Sequence, residues 1–265
     1  MVEDAFAALT YENLKDIICC PGGVELKGKD FKGDIGKIVS WTEGMIRDGM
    51  EGLIHYTDGA PVGFVQYMPT DKAPMPIIGP GTCTLMCFHW KGEDDSKHLD
   101  MEYRLLEEAL EISRVVYEGM AVLAWDHPIH FPVSMMEELG FNTVDTQDHL
   151  HLMWKPFDDD AVPPSLVDHT YDPMRSSSRL IIEQGYSNRC PYSISHAQSI
   201  KDMVHDIGDE RINHILHTID TRDESIRYAV VPWNWDWLYI DGERIDTFST
   251  STREIKEMVL RSLNQ

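Results

Sequence analysis

Basic side chains are scarce: 23 lysines and arginines face 45 aspartates and glutamates across 265 residues, a formal charge of −22. A chain so acidic repels nucleic-acid phosphates and anionic membrane surfaces, which excludes both as expected partners. Cysteine is scarce as well. Five residues, two of them adjacent at Cys19 and Cys20, make a poor disulfide framework, so reduced thiols are the expectation. No apolar run approaches the roughly 18 residues that a membrane span requires. The opening MVEDAFAALTYENLKD has neither the basic nor the apolar segment of a leader. A cytoplasmic protein is expected. No internal repeat is visible. What the chain does have is 42% hydrophobic residues, ordinary for a packed core, and length enough for one large or two ordinary domains.

Residues 156–178, PFDDDAVPPSLVDHTYDPMRSSS, join four prolines to an acidic run and a serine tract, with little to bury. They predict a linker over 158–177 between domains at 1–157 and 178–265. In the first, KIVSWTEGMI predicts a helix with Ile38, Trp41, Met45 and Ile46 on one side. Asp58-Gly59-Ala60-Pro61 predicts the turn of an antiparallel hairpin. GTCTLMCFHW reads as a long apolar strand in which Cys83 and Cys87 share a face with Leu85 and His89, as core. A charged stretch then opens the helix MEYRLLEEALEISRVV, and VLAW is a short strand. Ser134 to Leu139 predict a short helix with a Ser134/Glu137 capping box and Gly140 as its stop, before a pair of strands, FNTVD and HLHLMWKPF. Downstream the order is strand (RLIIEQG), helix (191–207), strand (RINHILHTI), short helix, strand (DWLYIDGERI) and a last helix capped by Ser251 and Glu254.

The order of a strand pair, a long strand, a charged turn, a helix, a strand and then SMMEELGF resembles the core of the GNAT acetyltransferases. The C-terminal unit, with Cys190-Pro191-Tyr192 at a helix start and Val231-Pro232 before a strand ending in an Asp-Gly hairpin, resembles a thioredoxin-like fold. Together the halves resemble the YoaP-like GNAT proteins, through LTYENLKDIICC (9–20), YMPTDKAPMPI (67–77), MCFHW (86–90), LGFNTVDT (139–146), RCPYS (189–193) and the stretch from VVPW to IDGE. The resemblance implies an α/β (α+β) chain, with a GNAT-like mixed-sheet domain followed by a small thioredoxin-like domain. It further implies acyl transfer from acetyl-CoA, with no covalent cofactor, to a small-molecule amine or thiol. Thr84, Leu85, Met86, Cys87 and Phe88 would hold the pantetheine, and the turn from Lys97 through His98 to Arg104 would face the pyrophosphate. His89, Asp126 or His127 would be the base.

Two departures stand against that implication. Aligning Leu105-Leu106 with the leucine pair after the family's glycine-rich turn puts Asp100 and Glu102 on the two central glycines and His98 on the preceding one. Close like charges cost roughly 1 to 4 kcal/mol near a surface, against about 8 kcal/mol for micromolar binding. The family's frequent proton-donating tyrosine is here Met136, which has no proton to give; Tyr103 and Tyr117 are substitutes.

Cys190 is the second chemical candidate. A thiol at a helix N-terminus, beside Arg189, is expected to have a lowered pKa and to act as a nucleophile. Ser193 stands where a resolving thiol would sit, leaving mixed disulfides or a sulfenic acid as products. Cys19-Cys20 could supply the second thiol. His127, His130, His149 and His151, with Asp126 or Asp148, gather at one end of the sheet, but in no recognised ligand spacing, and no metal is expected. Trp233, Trp235 and Trp237 alternate on one strand face and read as core or interface. Two functions stay open: a CoA-dependent N-acyltransferase, or a scaffold that has lost CoA and works as a thiol-relay, redox or metal-binding module through Cys190.

Overall fold

The computed structural model describes residues 4–19, 35–90, 95–126, 131–147, 149–168, 170–228, 236–247 and 249–264; of residues 18, 19, 90 and 95–99 only the backbone is considered. It is a mixed α/β chain built on a large mixed sheet. The first elements are β1 (Asp4–Ala8), a 3-10 turn (Leu14–Cys19), α1 (Ile35–Arg47), β2 (Glu51–Thr57), β3 (Ala60–Pro69), β4 (Ile77–Ile78) and β5 (Thr82–Trp90). They are followed by α2 (Asp95–Ser113), β6 (Gly119–Trp125), α3 (Val133–Glu138), β7 (Asn142–Gln147) and β8 (Leu150–Pro156). Seven strands form one sheet in the order β1-β2-β3-β5-β6-β8-β7.

The local reasons are legible. Asp58 (φ 49) and Gly59 (φ 77) both take left-handed backbone, the geometry that turns β2 tightly into β3. Helix α1 buries Ile38, Trp41 and Met45 as its periodicity predicts, and Thr42 joins them by donating its hydroxyl to the Ile38 carbonyl at 2.8 Å. Every residue of β6 is buried, as expected of an interior strand. One strand goes unforeseen and one expectation fails. Strand β1 has no signal in its Ala-rich DAFAA and is specified by pairing with β2. The Ser134/Glu137 box does not form: α3 starts one residue early, with Pro132 as its N-cap and no side-chain cap. Proline's fixed φ already suits a helix entry. Gly140, at φ 84, stops the helix as predicted.

Residues 158–177 are fastened twice. Strand β9 (Ser165–Leu166) pairs with β4, and Tyr171 packs on the second sheet. That sheet comprises β10 (Leu180–Tyr186), β11 (Ile212–Thr218), β12 (Asp236–Ile240) and β13 (Glu243–Ile245) in the order β11-β10-β12-β13, with β10 and β11 parallel. Helices α4 (Pro191–Ile207), α5 (Arg222–Arg227) and α6 (Thr252–Leu263) complete the unit. Both α5 and α6 carry full capping boxes, the latter from Ser251 and Glu254 as predicted. Ile182, Leu238 and Ile240 pack with Ile200, Met203, Ile255 and Val259. A separate cluster joins Trp237 and Tyr239 to Ile219, Tyr171 and Tyr228. Trp237 is 1% exposed, so it is core; Trp233, Trp235 and Val231-Pro232 lie outside the described residues. Beside Trp237, Glu183 is fully buried and accepts from the Tyr171 hydroxyl, from the Met174 backbone N–H at 2.5 Å and from His217 at 3.0 Å.

Candidate functional site

The larger sheet opens in the middle. Strands β5 and β6 pair in parallel only through Thr82↔Gly119, Cys83↔Met120 and Thr84↔Ala121. Beyond Thr84 the ladder with β6 ends and β5 runs on to Trp90, while β6 stays paired with β8 throughout. On its other edge β5 is bulged: Tyr67 faces Leu85 and Gln66 faces Cys87, leaving Met86 without an opposite residue on β3. One extra residue reverses the alternation of side chains beyond it. Since directly opposed residues share a face, Cys87 and His89 lie with Gln66 and Phe64, whereas Cys83 and Leu85 lie with Tyr67 and Pro69. The expected common face for Cys83, Leu85, Cys87 and His89 is therefore wrong, because periodicity does not reveal a bulge. Cys83 is fully buried, and that burial drives its thiol pKa far up.

The second lobe docks at this bulge. The Arg189 guanidinium donates from Nη2 to the Met86 carbonyl at 3.2 Å, and its Nη1 lies 3.8 Å from the Met75 sulfur. Arg222, at the start of α5, donates to the carbonyls of Thr70 (2.7 Å) and Ile77 (2.9 Å). Trp41 of α1 donates its indole N–H to the Asp220 carbonyl at 3.2 Å. Cys190 is the N-cap of α4 and packs against the core of the larger sheet. That placement reverses the expected acidification. Burial pushes the Cys190 thiol up, and the backbone amides of Ser193 and Tyr192 with the Arg189 charge offset this only in part. Desolvation likewise lowers the Arg189 pKa, opposed by Cys87, Cys190 and Asp220 within electrostatic reach. Ser193 is 1% exposed, and its hydroxyl oxygen accepts from the Ser187 N–H at 3.0 Å.

A cleft of about 490 Å³ opens beside these residues, lined by Gly36, Lys37, Ser40 and Trp41 of α1 and by Asn188 and Asp220. Asp220 accepts from the Asn188 N–H at 2.7 Å and from its amide Nδ2 at 2.5 Å. The carboxylate fixes which end of that amide is nitrogen, so Asn188 Oδ1 is an acceptor, buried and without a hydrogen-bond partner among the described residues.

The remaining candidates are scattered. The residues Lys97 to Arg104 are not a turn: α2 is helical from Asp95. Only the first four amides of a helix are left unbonded, so the backbone around Asp100 and Glu102 is already used in the helix. Asp100 is exposed, and Glu102 is buried at 9% exposure. The side chains of Lys97 and His98 lie outside the described residues. Arg104 stacks over Phe6, 5.8 Å from the ring centroid. The Thr84 hydroxyl is tied to Thr70 at 2.8 Å inside the core, and Leu85, Met86 and Phe88 are buried. His89 is half-buried. Asp126 pairs with His151 at 3.2 Å, while His127, His130 and Asp148 lie outside the described residues. Met136 is buried core. Both substitute phenols are committed to carboxylates, Tyr103 to Glu138 and Tyr117 to Glu51 at 3.3 Å. Burial and Glu138 push Tyr103 up to about 12, and burial and Glu51 raise Tyr117 further. Sequence reasoning missed Gln66, Arg222 and the Asn188–Asp220 pair; none carries a local pattern that separates it from a surface residue.

No protein-family model and no curated protein matches the chain. Solved structures do. An N-acetyltransferase from Staphylococcus aureus Mu50 aligns at 10% identity and TM-score 0.44, over 59% of this chain and 99% of its own. A ribosomal-protein-alanine N-acetyltransferase from Brucella melitensis aligns at 16% identity and TM-score 0.43, over 57% and 99%. The paia N-acetyltransferase from Thermoplasma acidophilum, solved in complex with coenzyme A, aligns at 17% identity and TM-score 0.38, over 58% and 99%. The structural neighbours of this chain are thus acetyltransferases that cover about 59% of it.

Proposed function

We propose that the seven-stranded lobe is an acyl-CoA-dependent N-acyltransferase joined to a thioredoxin-like lobe, with domains at 1–157 and 178–265. One observation carries the reading: the parallel ladder of β5 with β6 ends after Thr84 while β5 runs on to Trp90, with the Met86 bulge in it. A sheet whose neighbouring strands part offers a slot for another extended chain of amides, and pantetheine is such a chain. The residues fit that part of acetyl-CoA. The N-terminus of α2 suits an anion, and the acidic positions Asp100 and Glu102 fall in the helix body beyond it. The cleft lined by Asn188 and Asp220 is our candidate for the amine acceptor, drawn by the negative charge of the Asp220 carboxylate. His89, on the strand that carries the bulge, is the base we favour.

Titration calorimetry with acetyl-CoA, paired with a melting curve, tests the reading. Heat release and a raised melting temperature are expected; neither heat nor shift overturns it.

A second reading, thiol–disulfide exchange at Cys190, is favoured by its position as N-cap of a 17-residue helix with Arg189 alongside. A helix laid after the first strand, a parallel second strand and an antiparallel final pair support the thioredoxin-like assignment.

A further inference from the structure

The lobe that carries Cys190 has no resolving thiol of its own, because position 193 is a serine engaged with the Ser187 N–H. The larger lobe presents one. The bulge at Met86 takes Cys87 off the face shared by Cys83 and Leu85 and puts it on the opposite one. Arg189, the residue before Cys190, is hydrogen-bonded to the carbonyl of Met86, the residue before Cys87. Cys87 and Cys190 both pack against the same hydrophobic core, and both are only partly buried, whereas Cys83 is fully buried. Next to Cys87, the side-chain amide of Gln66 is 5% exposed, and its Nε2 has no acceptor among the described residues. The Arg189 guanidinium has Cys87 and Cys190 both within its electrostatic reach and opposes in part the burial that keeps the Cys190 thiol protonated.

We propose that Cys87 is the resolving thiol of Cys190, so that the two lobes jointly form a dithiol site that reduces a small disulfide. This rests on the exchange reading of Cys190. In the first step the Cys190 thiolate attacks one sulfur of R–S–S–R; the S–S bond breaks, a Cys190–S–S–R bond forms, and RS⁻ leaves and takes up the proton given by Cys190. In the second step the Cys87 thiolate attacks the Cys190 sulfur, forming the Cys87–Cys190 disulfide and releasing the second R–SH. The protein dithiol loses two electrons, and the substrate disulfide gains them.

Reduced full-length protein incubated with bis(2-hydroxyethyl) disulfide, quenched in acid, alkylated and mapped by mass spectrometry supplies the test. The wild type is expected to yield a peptide linking residue 87 to residue 190 and to release both halves of the probe as thiol. Cys87→Ser is expected to stop at a mixed disulfide on Cys190, and Cys83→Ser to behave as the wild type. A wild type that accumulates the mixed disulfide on Cys190 without the bridge overturns the pairing while leaving exchange at Cys190 intact. A wild type that shows no adduct on Cys190 overturns both. The decisive map is made on the unmodified protein, so the stability of a variant does not enter.

Discussion

The two sheets use their central strands in opposite ways. In the smaller sheet β10 is paired on both edges, seven residues with β11 and five with β12, and its one buried acid, Glu183, is met by three donors. In the larger sheet β5 gives up its ladder to β6 after three pairs and carries a bulge on the other side. A closed sheet is rigid because each buried backbone group is satisfied; an open one must find partners elsewhere, and at Met86 the partner is an arginine delivered by the closed sheet. The difference teaches a division of labour. The smaller lobe is the arm, and the larger one holds the bulge at which it docks.

The comparison breaks most severely at Gly185. A Cβ there would lie 2.2 Å from the Trp237 ring, which is itself 1% exposed. Gly185→Ala is expected to cost about 3 kcal/mol or more, seen as loss of the smaller lobe's cooperative unfolding in denaturant. Glu183→Ala strands the Tyr171 hydroxyl, the Met174 N–H and His217, and about 2 to 3 kcal/mol should be lost. Amide exchange checks this one, with protection falling first around Tyr171 and Met174.

Arg222→Ala is a test of the arm itself. It removes the donor to the carbonyls of Thr70 and Ile77 between the lobes and is expected to cost about 1.5 to 3 kcal/mol. Faster proteolysis within 158–177, with both sheets still folded, is the expected signature. Cys190 offers a sharper probe through pH. Its pKa is raised by burial, so the thiol is protonated at neutral pH and alkylation by iodoacetamide should rise with an apparent pKa above the ordinary value of about 8.5. The Arg222→Ala variant, by exposing the thiol, should move that profile downward. A wild-type profile below the ordinary value would contradict the buried docking of Cys190.

The half-buried His214 titrates within the smaller sheet. Desolvation and the nearby Lys201 charge lower its pKa to about 4. A folded-state pKa below the unfolded one means that the neutral ring is favoured in the fold. The stability this contributes is present above the ordinary value of about 6.5 and is lost as pH falls toward 4. A His214 ring NMR shift that moves only below about pH 5 is expected. The smallest effect separates two caps: Ser251→Ala should lower the melting temperature measurably, while Ser134→Ala should leave it unchanged, because only Ser251 caps a helix.

Much of the fold could be read from side-chain period and turn chemistry. The stripe of Ile38, Trp41 and Met45, the Asp58-Gly59 turn, the Ser251/Glu254 box and Gly140 each act within a few residues, so local sequence carries them. The candidate site was less legible. Asp126 and His151 were both marked, but nothing in the sequence joined them before strand pairing did. Cys190 was placed correctly at a helix start, yet its acidity was misjudged, since the helix end is a local feature and the apolar surface covering it belongs to the other lobe. Strand β1, with its weak alternation, could be recognised only through its neighbour.

By itself the sequence determined an acidic chain of mixed α/β order whose C-terminal thiol stands at a helix entry without a second thiol in reach along the helix. Tertiary structure alone decided that β5 would part from β6, that a bulge would turn Cys87 to the far side of its sheet, and that Arg189 would arrive there from another lobe. The reason is that helix and turn signals are written in contacts between near neighbours, whereas the face of a strand and the depth of a thiol depend on which distant segment pairs or packs against it.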